Sequence, residues 1–205
     1  MMSEPDGAFL KLRIARPDLV HWLDAPPARA SGWVDWRDIG GQWYFDAGPQ
    51  ELRGISMMQL VRTMAECDAI LARSATNRQA LRGVLNAAET PEVRHAAYDP
   101  GTQDFVAGTL TYSENLNDLI IFLAMARGAA AFLAPNGHGI AVIHNYLWGD
   151  EDEQITQAAL RLGPGNASGF MDEAEARSAG GAFQALADQM LDQTRPPVDE
   201  LDTLR

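Results

Sequence analysis

An apolar share of 46% across 205 residues is too high for a disordered chain and is enough for one sizeable buried core. The 28 acidic residues against 16 basic ones leave a net charge of −12, which repels phosphate backbones, argues against nucleic-acid binding and draws in basic partners. A single cysteine, Cys67, excludes an internal disulfide and fits a reducing compartment, so a cytoplasmic protein is expected.

The opening stretch MMSEPDGAFLKLRIAR carries acids early and lacks a continuous apolar run, so it does not read as a secretory signal. Within it, Leu10, Leu12 and Ile14 alternate with Lys11 and Arg13, the pattern of a half-buried strand. Pro17 then suits the first turn of a short helix, PDLVHWLDA, which PPARASG ends. Next, GWVDWRDIGGQWYFDAG sets two aromatic runs around Gly40 and Gly41, which predicts a hairpin turning at those glycines. Trp33, Trp36 and Trp43 fall here, in an aromatic-rich part spanning residues 1–50. Such a patch serves either as a small core or as a partner-binding platform.

The middle of the chain is helical. Ser56 and Gln59 have capping-box spacing, and Met57, Leu60, Met64, Cys67 and Leu71 recur at helical steps as a buried stripe. Cys67 lies on that stripe with no basic neighbour to activate it, the setting of an inert buried thiol. Thr76 and Gln79 repeat the cap, followed by Leu81, Val84, Leu85 and Ala88 on one face and a boundary at Pro91. VRHAAYDPGTQDFVAGTLTYS predicts a hairpin, with Pro100 and Gly101 at the centre of a type II turn. Leu116 to Ala134 is apolar nearly all round, which predicts a central buried helix. Its most apolar part, Leu119 to Ala134, is shorter than the roughly 18–20 residues of a spanning helix and is interrupted by Arg127, so no membrane partner is expected. IAVIHNYLW reads as a strand apolar on both faces and therefore internal to a sheet. GPGNASG is a loop, Asp172 to Asp192 a last helix weakened by Gly180 and Gly181, and residues 194–205 a flexible tail. The order of elements predicts a single α+β domain over residues 1–193, a mixed or antiparallel sheet with a central buried helix and flanking helices.

Motifs for chemistry are sparse. The four histidines have no i, i+4 pair and one cysteine cannot build a zinc knuckle, so neither a metal nor another cofactor is expected. His138 and His144 share a strand face, and with Asp150 they are the nearest approach to a metal set, although their spacing is not diagnostic. The acids of DEDE are adjacent, whereas a calcium loop alternates its ligands. No G-x-S-x-G, dinucleotide or Walker pattern is present.

The stretch HNYLWGDEDEQITQ holds the strongest candidate. Asp150 or Asp152 suits the N-cap of a helix starting near Glu153, with the remaining acids on its first turn. Tyr146 and Trp148 beside Asp150, Glu151, Asp152 and Glu153 also combine aromatic anchors with steering charge, as a binding surface for a basic protein would. The expected function is that of a cytoplasmic protein-binding protein, an acidic immunity-like or inhibitor protein that neutralises a basic toxin or effector. In general character this is like bacterial toxin-neutralising proteins, without a shared motif. One alternative is a small hydrolase using His144 or His138 with an acid. Another is a structural or chaperone-like subunit that oligomerises through helix 116–134. Trp33, Trp36 and Trp43 are secondary candidates for partner binding.

Overall fold

The computed structural model describes residues 5–40, 43–45, 48–87, 93–147, 155–192 and 197–205. Strand β1 (Asp6–Arg13) forms where the alternation of apolar and charged residues placed it. It leads into α1 (Arg16–Asp24), which has proline in its first turn. Two short 3₁₀ turns follow, at Ala30–Gly32 and Trp36–Asp38. A small hairpin of β2 (Trp43–Phe45) and β3 (Gly48–Gln50) comes next. The aromatic hairpin thus lies later than expected, because Trp36 sits in a 3₁₀ turn and cannot join a ladder there.

Helix α2 (Met57–Leu71) begins at Ser56, whose hydroxyl accepts from Gln59 N while Gln59 Oε1 accepts from Ser56 N, the anticipated capping box. Leu60, Met64, Cys67 and Leu71 are buried, but Met57 is exposed and leaves the expected stripe. Thr76 caps α3 (Asn77–Leu85) and buries Leu81, Val84 and Leu85, while the expected fourth member, Ala88, lies outside the described residues. The boundary expected at Pro91 also lies outside them.

β4 (Arg94–Asp99) and β5 (Asp104–Ser113) form the predicted hairpin. Its turn is not type II. The left-handed residue is Gln103, at φ 60°, and the Asp99 carboxylate accepts from Gly101 N at 2.7 Å. Four residues connect the strands, a length that uses other turn geometries. Asn115 caps α4 (Leu116–Gly128), which is buried on nearly every side and ends in a 3₁₀ turn at Ala129–Phe132. β6 (His138–His144) follows and is internal to the sheet, as its two apolar faces required.

Residues 156–163 correct the reading of a helix starting near Glu153. They form β7 (Thr156–Gly163), paired with β6 on one side and with β8 (Ala167–Phe170) on the other. TQAALRLG is rich in helix formers, yet Ala158, Leu160 and Leu162 face one core and Ala159 the other. The ladder bonds from two neighbours override a weak local propensity. GPGNASG is therefore mostly hairpin, with Gly165 and Asn166 both left-handed at φ 69° and 64°. The last helix is two, α5 (Glu173–Gly181) and α6 (Gln184–Leu191), broken after the glycine pair.

One antiparallel sheet results, in the order β4-β5-β1-β6-β7-β8. In its first four strands, β5 lies between the parallel pair β1 and β4, and β1 between β5 and β6. This is the split βαβ arrangement, or ferredoxin-like strand order. The β7–β8 hairpin extends it. α1 to α4 bury one face against Leu10, Leu12, Ala141, Ile143 and Leu160. α5 and α6 bury the other against Phe9, Leu110, Val142 and Ala159. On that second face, Phe9 lies so close to Gly108 across the ladder that a Cβ there would collide with its ring.

The expected tail is docked over residues 197–205. Ala96 N donates to Val198 O at 2.8 Å, Glu200 N donates to Ala96 O at 2.7 Å, and Leu201 and Leu204 are buried. Two hydrophobic anchors and a backbone bridge outweigh the polar composition that suggested fraying. Among the described residues, no helix is long and apolar enough to cross a membrane.

Candidate partner-binding surface

The tryptophans are divided by burial. Trp36 is fully buried and its Nε1 donates to Ala30 O at 2.8 Å. Trp43 is buried with Nε1 donating to Gly40 O at 2.9 Å. Both belong to packing, the core alternative for this aromatic patch, and so are not available as the secondary partner-binding candidates. Trp33 is half-buried and edges onto Trp36, with ring centroids 6.3 Å apart.

The reason for this packing is Arg127. Its guanidinium is fully buried at the end of α4 and stacks on Trp33, Trp36 and Phe170, at 4.8 to 5.2 Å from their ring centres. Both terminal nitrogens donate to Asp35, each at 2.6 Å. The aromatic faces and the fork-to-fork carboxylate replace most of the water a guanidinium loses on burial, while its Nε is left without a hydrogen-bond partner. This closed arrangement ties the 33–36 segment to the helical layer.

Tyr146 is also buried. Its ring packs edge-on to Phe9 at 5.2 Å and lies 4.2 Å from His144, and its hydroxyl donates to Gly180 O at 2.8 Å. Burial pushes its phenol well above the usual range. It is therefore a core residue and not the surface anchor expected. His144 is buried beside it, with Nδ1 and Thr156 Oγ1 2.8 Å apart. A Cβ on Gly180 would stand 2.6 Å from that Nδ1 and 2.8 Å from that hydroxyl, so glycine is required at this crossing of α5 over the sheet. His138 is exposed at the opposite end of β6, roughly 20 Å away along the strand. The two histidines thus cannot serve one site. No grouping of three His, Cys, Asp or Glu residues suited to a metal occurs among the described residues.

Trp148, Asp150, Glu151, Asp152 and Glu153 lie outside the described residues. The attachments of their segment do not. β6 ends at His144, which pairs with Gly7 and Thr156. β1 begins at Asp6, which pairs with Ser113 at the end of β5. All four strand ends therefore meet at one end of the sheet.

That end is already acidic. Asp6 is buried at 7% exposure, and its carboxyl is pushed up to about 7, first by burial and then by Glu114. Asp118, in the first turn of α4, accepts from Ser113 Oγ at 2.7 Å. The C-terminal half of α2 joins the same neighbourhood, with Cys67 Sγ 3.6 Å from Asn117 O. The Cys67 thiol is pushed up to about 12 by burial and then by Asp68, Glu66 and Asp118, which makes it an inert group.

The sequence reading missed the exposed apolar face of α2. Met57, Met58 and Val61 are 65%, 79% and 60% exposed, and Ala65 and Ala69 continue the row. The signal was present, because these apolar positions lie beyond the arc that one neighbouring helix can cover. α4 and the 30–32 turn cover the other flank.

A shallow groove of about 570 Å³ lies between α5 and the sheet, beside Ile140, Met171 and Ser178. Its charged groups, Arg161 and Glu175, are paired with each other at 2.5 Å. This does not assemble an acid–base pair around a nucleophile. No family model matches this chain, and no curated protein or solved structure is found to be similar to it.

Proposed function

We propose that this chain is a cytoplasmic binding protein that occludes a basic protein partner, in the manner of an immunity or inhibitor protein. The observation that carries the reading is the gathering of acids at one end of the sheet. Glu114 and Asp118 stand there beside the buried Asp6, and the segment bearing Asp150, Glu151, Asp152 and Glu153 is attached there at both of its ends. On a chain of net charge −12, such a pole speeds encounter with a positive surface. Trp148, inside the same segment, supplies the aromatic anchor.

Two observations weigh against the alternatives. Of the two histidines in the hydrolase alternative, His144 is packed under Tyr146 and hydrogen-bonded to Thr156, so it is not presented to a substrate, and His138 is exposed at the far end of β6 outside the groove beside α5. The 116–134 helix, which an oligomerising subunit would present, spends its apolar surface inside the chain.

Affinity purification followed by mass spectrometry identifies the partner, and binding kinetics then test the reading. Neutralising Asp150, Glu151, Asp152 and Glu153 together should slow association more than it speeds dissociation, and added salt should slow the parent chain more than the variant. Trp148→Ala should mainly speed dissociation. Unchanged rates in both variants, or a partner without a basic surface, would overturn it.

A further inference from the structure

We propose that the groove between α3 and the outer edge of β4 is a recognition site for an acidic peptide segment of the form Asp-x-Leu-Asp-x-Leu carried by a partner, and that the chain's own segment 197–205 is a strap holding this site closed. The site is independent of the basic-partner reading above.

β4 is the outermost strand of the sheet, and an outer strand presents backbone donors and acceptors along its free edge. The segment takes them up as an added strand does. It forms one parallel bridge, in which Ala96 N donates to Val198 O and Glu200 N donates to Ala96 O. Glu200 Oε2 also accepts from Tyr98 N at 3.2 Å. The bonds within the segment make a single turn: Thr203 N and Leu204 N both donate to Glu200 O, and Asp199 Oδ1 accepts from Leu201 N. One such turn has no stability of its own, so the seat fixes its position.

The side chains of the seat choose the occupant. Arg78 and Arg82 stand one turn apart on α3, and Arg94 reaches the same place from β4. Arg82 donates to Asp199 from both terminal nitrogens, at 2.5 and 3.1 Å, and to Asp202 at 2.9 Å. Arg94 Nε lies 3.6 Å from Asp199, and Arg78 donates to Leu201 O. Leu201 and Leu204 are buried in the core that Leu81 and Leu85 share. Strand addition at a sheet edge and arginines set against acids are two recurring modes of peptide capture. The strap does not satisfy the seat completely. Arg82 and Arg94 each keep a buried Nε without a hydrogen-bond partner, so a segment that brings a further acceptor there outcompetes it. Salt screens the net charge of −12 beyond about 8 Å, so at contact the three arginines decide.

The test titrates a fluorescent synthetic peptide of residues 197–205 against the intact chain and two full-length variants. Leu201→Ser with Leu204→Ser loosens the strap and leaves the arginines in place. Asp199→Asn with Asp202→Asn loosens it without touching the leucines, and serves if the first variant does not fold. The peptide should bind a loosened variant roughly tenfold or more tighter than the parent, where the tethered strap competes. Lysine at both aspartate positions of the peptide, or Arg82→Gln added to the variant, should weaken binding by roughly tenfold or more. In the parent, the amides of Ala96, Glu200 and Leu204 should exchange with deuterium together, roughly tenfold or more faster than those of Phe9 and Val142. Absence of binding to the loosened variants, equal binding of the lysine peptide, or strap amides that exchange only as slowly as Phe9 and Val142 would overturn the proposal. So would a dimer of the free chain formed by trading segments, which gives the site to a second copy.

Discussion

Arg127 and Asp35 stand 92 positions apart, and their pairing illustrates how a buried charge is tolerated. Removing only the acid strands the fully buried guanidinium among Trp33, Trp36 and Phe170 without its carboxylate partner. Asp35→Ala should therefore cost about 3–5 kcal/mol in denaturant titration. Arg127→Met combined with Asp35→Ala should recover most of that loss, since a flexible apolar chain fills the same box. Equal losses in the single and double variants would mean the aromatic box needs the cation itself. Asp6 supplies a pH-dependent counterpart. Its folded carboxyl titrates near 7 against an ordinary 3.8, so the folded state holds the proton more tightly than the unfolded one. Stability from this group is fully present below about pH 4, falls as pH rises, and levels off above about 7. Asp6→Asn should match the parent near pH 4 and exceed it by about 2–4 kcal/mol near pH 8. Urea titrations at both pH values check this, and a constant difference between the two chains would contradict it.

At the scale of elements, the C-terminal segment is the clearest case of structure set by distant contacts. Arg82 reaches Asp199 at 2.5 Å and Asp202 at 2.9 Å, and Arg78 donates to Leu201 O. Burial raises the Asp199 carboxyl, but the hydrogen bond and charge of Arg82 outweigh it and hold the group below its usual range. Leu201 and Leu204 join the core on the face of the sheet that holds α1 to α4. A chain ending at residue 196 should lose about 3–6 kcal/mol from the two leucines alone. Its urea midpoint should fall accordingly, and an unchanged midpoint would show that the segment rests on the surface without contributing. The split βαβ core and the β7–β8 extension share β6, so loosening β7 would also expose Val142 and the α5 contact.

At the scale of the whole molecule, the charge of −12 is distributed over a chain that buries two separate cores. Self-repulsion of this kind opposes compaction and is screened by salt. Raising sodium chloride from about 20 to about 200 mM should raise the melting temperature, by roughly 2–4 °C for each kcal/mol of repulsion relieved. A melting temperature that falls with salt would mean that ion pairs such as Arg82–Asp199 dominate the balance. The same screening slows capture of a basic partner, so salt should stabilise the free chain while weakening its encounters.

The features legible in the sequence are those encoded within a few residues of chain. The alternation of Leu10 and Leu12 with Lys11 specified β1, the Ser56–Gln59 spacing specified the start of α2, and apolar residues on all sides marked α4 as buried. Of the candidate site, the acidic run and its neighbour Trp148 were legible as composition, and the second apolar arc of α2 was present though unread. Only the tertiary structure decided that TQAALRLG is a strand, because its ladder partners come from β6 and β8. Only it decided that Trp36 and Tyr146 face inward, that Leu201 is buried, and that Met57 and Val61 are left uncovered. A helix pattern states which positions share a face, but whether a face meets core or solvent depends on elements far along the chain that come to lie over it.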